Sequence, residues 1–285
     1  MPEPREIEIS TSQFKYAARV WGDKKGLPTL ALHGWLDNAA TFDNLAPLLT
    51  ELYIVALDFP GHGHSGHRPR GIKYHYLDYV EDVFKVAKAL KWEKFNLLGH
   101  SLGAGIASIA AGTFPERIDR LMMVEGIGPM TREPEKSHLY LQRSIQQMER
   151  IADRAPPLYQ NKEQMIEARA KVGDMTIESV KILIERGIIE LKDGVTWRSD
   201  PRLRIASPSY LTEEQVNAFL SNISSPSILV TAESGLFTDR SRLDSRCEYV
   251  KQLKVETLPG GHHLHLDNPQ SVAGILSEFF ADSSK

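Results

Sequence analysis

The pentapeptide Gly99-His100-Ser101-Leu102-Gly103 sets one hydroxyl between two glycines, an arrangement in which a serine can act as a nucleophile. The apolar run Phe95–Leu98 precedes it and the small-residue run Ala104–Ala111 follows, so the serine lies on a strand-to-helix turn. In such a turn the hydroxyl projects above the sheet. Side chains two positions either side would clash with strand and helix, and the helix N-terminus aims N–H groups and partial positive charge at a developing oxyanion. A nucleophilic serine also needs a base within hydrogen-bond reach, most often a histidine. The segment Pro259-Gly260-Gly261-His262-His263-Leu264-His265-Leu266-Asp267-Asn268-Pro269 offers three of them. The base in turn needs a buried carboxylate to orient it. Glu125 stands directly after the apolar run Leu121–Val124, while Glu233 and Asp239 follow Ile228–Thr231.

These residues need a sheet to bring them together. Glu6–Ile9 and Phe14–Val20 read as an opening antiparallel hairpin. Thr29–Leu32, Tyr53–Leu57, Phe95–Leu98, Leu121–Val124, Ile228–Thr231 and Lys254–Leu258 follow as short strands. Most are continuously apolar, as strands buried on both faces of a parallel sheet must be. Helical patterns lie between them, the clearest placing Tyr76, Val80, Val83, Phe84, Ala87 and Leu90 on one face. The expected fold is therefore α/β, a mostly parallel, doubly wound sheet. The alternation stops over residues 129–208, where helical patterns at Leu139–Ile151, Lys162–Lys171 and Ile177–Arg186 are broken by Pro156-Pro157, Pro201 and Pro208. No strand is expected there. The stretch reads as a helical cap inserted over the C-terminal edge of the sheet, where open α/β sheets bind ligands, with residues 1–128 and 209–285 forming the core domain.

Composition narrows the function classes. A net charge of -3 and the lack of a basic block disfavour nucleic acid as a partner. Cys247 is the single cysteine, so an internal disulfide and a thiol-rich metal site are excluded; its neighbours read as a helix surface, not a catalytic setting. The first residues, Met-Pro-Glu-Pro-Arg-Glu, carry no apolar leader pattern, and no run is long enough to span a bilayer. A cytoplasmic monomer or homodimer with a small-molecule substrate is expected.

With these motifs in place, the chain resembles the α/β-hydrolase superfamily over nearly its full length, most of all the serine hydrolase-like proteins. The resemblance implies the α/β-hydrolase fold and several roles. His33-Gly34-Trp35-Leu36-Asp37, after Thr29–Leu32, matches the superfamily's His-Gly turn, so the backbone N–H groups of Trp35 and Leu102 would form the oxyanion hole, leaving the Trp35 indole free to line the pocket. His33 itself also reads as a histidine bonded within its own turn. Asp58-Phe59-Pro60-Gly61-His62-Gly63-His64-Ser65-Gly66 matches the Asp-x-Pro-Gly-x-Gly-x-Ser loop. His62, His64 and His67 could suggest a metal, but the glycines between them make an unanchored ligand set, so a structural loop and no metal are expected. The Gly-His loop of the superfamily aligns on His262 as the base and leaves His263 and His265 in packing roles. The commonest position for the acid falls on Gly235, which departs from the pattern. A second solution, seen in some dehalogenases, falls on Glu125, which we favour over Asp239 and Glu233.

The implied chemistry is acyl transfer through an acyl-enzyme on Ser101, without cofactor. Carboxylic ester hydrolysis is the default, and amide, thioester or carbon–carbon bond cleavage are alternatives. A serine at this place excludes the haloalkane and epoxide branches, which use an aspartate. The rival from another class is a catalytically weak or inactive ligand-binding or receptor protein on the same scaffold. A nucleotide-binding α/β domain is disfavoured, since the glycines lack Gly-x-Gly-x-x-Gly spacing and a Walker lysine.

Overall fold

In the computed structural model, which describes residues 3–152, 157–236 and 240–282, the apolar runs form one eight-stranded sheet. Its strands in chain order are β1 (Arg5–Ser10), β2 (Lys15–Trp21), β3 (Leu27–Leu32), β4 (Leu52–Leu57), β5 (Phe95–His100), β6 (Ile118–Val124), β9 (Ser227–Ala232) and β10 (Leu253–Leu258), once the separate hairpin β7 (Ile188–Leu191) and β8 (Gly194–Trp197) is counted. The spatial order is β1-β2-β4-β3-β5-β6-β9-β10. β1 and β2 pair antiparallel, β2 joins β4 antiparallel, and every later pairing is parallel. All six residues of β4 and of β5 are buried, because helices cover both faces and leave no side for polar residues.

Helices α1 (Tyr76–Ala89) and α2 (Leu102–Thr113) pack on one face in a core that includes Val80, Val83, Ala87, Ile106 and Leu97. On the other face α9 (Pro269–Asp282) buries Val272 and Leu276 against Ile54, Met122 and Val230. The helices α6 (Glu213–Ser221) and α7 (Ser241–Cys247) join the first face, and the short α8 (Leu264–Asp267) the second. Among the described residues no helix is long and apolar enough to cross a membrane.

Residues 129–208 contain α3 (Ser137–Ala152), α4 (Lys162–Ala170) and α5 (Ile177–Gly187), close to the three helical patterns in the sequence. The expectation that this stretch holds no strand is wrong. β7 and β8 form an antiparallel hairpin whose register pairs Ile188 with Trp197 and Leu191 with Gly194. Its signal was present in Asp193-Gly194 flanked by β-branched and aromatic residues, a hairpin turn pattern that the neighbouring helical periodicity masked. The stretch has a core of its own, in which Met165, Val180, Leu183, Ile184 and Val195 surround Leu266 of α8. It is tied to the sheet by the buried Arg186, whose Nε donates to Asp58 Oδ2 at 2.9 Å and whose Nη1 meets Glu6 Oε1 at 2.6 Å. Of the breaking prolines, Pro156 lies outside the described residues.

Candidate active site

β5 runs two residues beyond its apolar segment, so Ser101 follows the sheet edge directly. Its backbone sits at φ 53°, ψ −114°, a conformation that costs about 1–3 kcal/mol for a residue other than glycine. The turn survives because it is held on both sides. Ser101 N–H donates to Val124 O at 2.9 Å, and its carbonyl accepts from Gly105 N–H at 3.0 Å. The glycine at 103 is obligatory, since a Cβ there would stand 2.0 Å from Leu32 O.

Ser101 Oγ lies 2.9 Å from His262 Nε2, and His262 Nδ1 lies 3.0 Å from Glu125 Oε2. Of the three candidate histidines only His262 reaches the serine hydroxyl. His265 is fully buried and bonds Thr41 Oγ1 at 2.8 Å, and His263 turns to Asp37 at 3.1 Å. Glu125 is buried, and among the described residues it makes two further contacts: Oε1 accepts from Ala232 N–H at 2.7 Å and Oε2 from Leu236 N–H at 2.8 Å. Glu125 also takes a positive φ of 51°, which turns its side chain off the end of β6 toward β9. The missing acid at position 235 has a spatial counterpart, because a Cβ on Gly235 would sit 2.2 Å from Glu125 Oε2. The carboxylate just after β6 fills the space that the glycine beyond the end of β9 leaves open. Glu233 is exposed, and Asp239 lies outside the described residues.

Leu102 opens α2 immediately after Ser101, so its N–H belongs to the first turn, whose donors have no intrahelical acceptor. Trp35 follows β3 at the same edge. Its indole is not free, as the sequence suggested: Nε1–H donates to Leu203 O at 3.0 Å, tying the turn after β3 to the inserted segment, although the ring keeps 52% exposure. His33 is buried, with Nδ1 on Gly34 O at 2.7 Å and Nε2 accepting from Phe59 N–H at 3.0 Å, so it fastens two loops beside the site. Asp58 Oδ1 and Oδ2 accept from Ala39 N–H and His64 N–H, both at 2.7 Å.

The three histidines of the glycine-rich loop diverge. His62 is buried against Pro60 O, His64 is exposed, and His67 faces Arg198 O and Asp200. Asp37, His100 and His263 form a tighter set, with candidate ligand atoms all within 4.8 Å of one another. A cation there would face competition, because Asp37 already pairs with His263 at 3.1 Å and with Arg169 at 3.1 Å. Sequence reasoning did not single out Asp37 and His100; the only signal was their place inside the two motifs. Cys247 ends α7, half-buried, and burial pushes its thiol up to about 11, away from reactivity.

Burial disfavours a charge on His263, but Asp37 and Asp174 outweigh it and push its pKa up to about 9. The neighbouring His100 and His265 are held neutral by burial, their pKa values well below the ordinary one. A histidine whose pKa is raised on folding stabilises the protein fully below its unfolded value of about 6.5. That contribution is lost as pH rises through about 9. We therefore expect thermal stability to fall between about pH 7 and 9, and the His263→Asn variant to show a flatter profile over that window. Equal slopes in the two proteins would refute the assignment.

A family model described as alpha/beta hydrolase fold matches residues 30–269. A serine hydrolase-like protein of Dictyostelium discoideum is 36% identical over 97% of this chain and 81% of its own length. One of Danio rerio is 32% identical over 98% of this chain and 89% of its own. The crystal structure of a hypothetical protein from Pseudomonas aeruginosa PAO1 superposes with a TM-score of 0.93 at 42% identity, covering 97% of this chain and 99% of that one.

Proposed function

Because the chain belongs to the α/β-hydrolase fold family, we propose that it is a serine hydrolase acting on a small ester-like substrate through an acyl-enzyme on Ser101. The observation that carries this reading is the continuous chain from Ser101 Oγ through the His262 imidazole to Glu125, with links of 2.9 and 3.0 Å. In the proposed reaction His262 Nε2 takes the proton as Ser101 Oγ attacks the carbonyl carbon. Glu125 keeps Nδ1 protonated and stabilises the imidazolium. The N–H groups of Trp35 and Leu102 would hold the oxyanion, aided by the N-terminal dipole of α2. The proton on His262 then passes to the leaving group. Water, activated by the same imidazole, releases the acid. Residues 129–208 would act as the cap that bounds the substrate. The ties of Trp35 and Asp58 to this segment support that role.

A fluorophosphonate probe followed by mapping of the modified peptide tests the reading. Labelling is expected at Ser101 and is expected to vanish in Ser101→Ala. No label, or a label on another residue, overturns it. A panel of short 4-nitrophenyl esters, thioesters and anilides then ranks the bond classes, with esters expected first.

A further inference from the structure

The inserted segment holds the loop that carries His262 at two carboxylates, Asp174 and Asp267, and the neighbouring turn after β3 at a third, Asp37. Arg169 Nη2, at the end of α4, meets Asp37 Oδ1 at 3.1 Å. Asp174, between α4 and α5, accepts the His262 backbone N–H and stands 3.6 Å from His263 Nδ1, an ion-pair distance. Thr176 Oγ1 and Ser179 Oγ donate to Asp267 Oδ1 at 2.9 and 2.5 Å, five residues beyond His262. Between these contacts Leu266 inserts into the apolar core of the segment. The approach of Asp174 is built in, because a Cβ on Gly261 would lie 2.1 Å from its Oδ2. The His263 imidazolium and the His262 N–H, against partial burial, hold the Asp174 carboxyl down to about 2. From the sheet side His100 Nε2 bonds the His262 carbonyl at 2.9 Å.

The backbone of the base is thus pinned at both ends of one residue. The core holds its carbonyl and the inserted segment holds its N–H. The imidazole makes its own two bonds, to Ser101 and Glu125, and their lengths depend on where that backbone stands. We infer that Asp174 is a positioning residue that places His262 for reaction only when the segment between α4 and α5 is docked on the catalytic loop. Docking of the cap and assembly of the base are then one event, and a substrate that holds the cap down also completes the site. The inference rests on the serine hydrolase reading above. It adds a residue that touches neither substrate nor the reacting atoms.

The test compares Asp174→Ala with Asp174→Asn, which keeps an acceptor for the His262 N–H. Displacing a catalytic group by a fraction of an ångström to an ångström costs about ten- to a hundredfold in rate. Asp174→Ala is expected to lose that much in kcat and in the rate of fluorophosphonate labelling, with KM for a short activated ester changed by no more than about twofold. Asp174→Asn is expected to recover most of the loss. Amide exchange at His262 provides a readout independent of activity, and should speed up in Asp174→Ala but not in Asp174→Asn. The inference is overturned if both variants label and turn over like the parent, or if both lose activity equally together with thermal stability. A parent protein that is not labelled at Ser101 instead refutes the hydrolase reading, so the two failures are separable.

Discussion

Glu125→Gln is expected to lower kcat/KM on an activated short ester by about three to four orders of magnitude while the protein stays folded, the size of effect seen when a triad carboxylate becomes an amide. The reason is the direction of its hydrogen bonds. Among the described residues the three partners of the Glu125 carboxylate, the N–H groups of Ala232 and Leu236 and the Nδ1 of His262, all call for an acceptor. A glutamine has only one acceptor oxygen. Its NH2 must then face either the Ala232 N–H or both the Leu236 N–H and the imidazole, and in the second case it favours the tautomer that cannot take a proton from Ser101. Fold is checked by the melting temperature, since Gln preserves the volume of the side chain. If turnover stays within about tenfold of the parent, another carboxylate orients His262. A second experiment uses the space at Gly235. Gly235→Asp alone would press a Cβ to 2.2 Å from the Glu125 carboxylate and should be damaging. In Glu125→Gly/Gly235→Asp that space is vacant, and part of the activity missing from Glu125→Gly alone is expected to return.

The second large effect concerns stability. Arg186 is buried beneath the inserted segment and pairs with Asp58, which is completely buried. Removing one member of a buried pair leaves the other charge without a partner, and Arg186→Met is expected to cost about 3–5 kcal/mol of unfolding free energy. The loss should not be confined to the insertion. Asp58 also accepts from Ala39 and His64, so a carboxylate that moves once its partner is gone loosens the loops after β3 and β4 beside the site. Chemical denaturation followed by intrinsic fluorescence measures the change, and Arg186→Met/Asp58→Asn is expected to recover more than half of it. A cost below about 1 kcal/mol for Arg186→Met would mean that water reaches the pair and screens it.

What the sequence determined by itself was local or periodic. Gly99 to Gly103 between an apolar run and a small-residue run determined the strand–turn–helix around Ser101, because only that geometry suits glycines at those two places. The continuous apolar runs determined a sheet covered on both faces. Distances between segments far apart in the chain were not legible. Nothing local to Glu125 says that its carboxylate fills the space above Gly235, since that contact joins the segments that follow two different strands. The indole of Trp35 read as free because its acceptor, Leu203, lies 168 positions away. The hairpin β7–β8 was hidden by helical patterns around it and is stabilised in part by pairing of Val195 with Tyr159. The clamp of Asp174 on His262 depends on how the inserted segment folds back over the sheet. Sequence determined which side chains could react and on what kind of turn they sit. Only the tertiary structure decided which of them meet, because hydrogen bonds select by ångströms, and those are set by packing between elements that the chain order keeps apart.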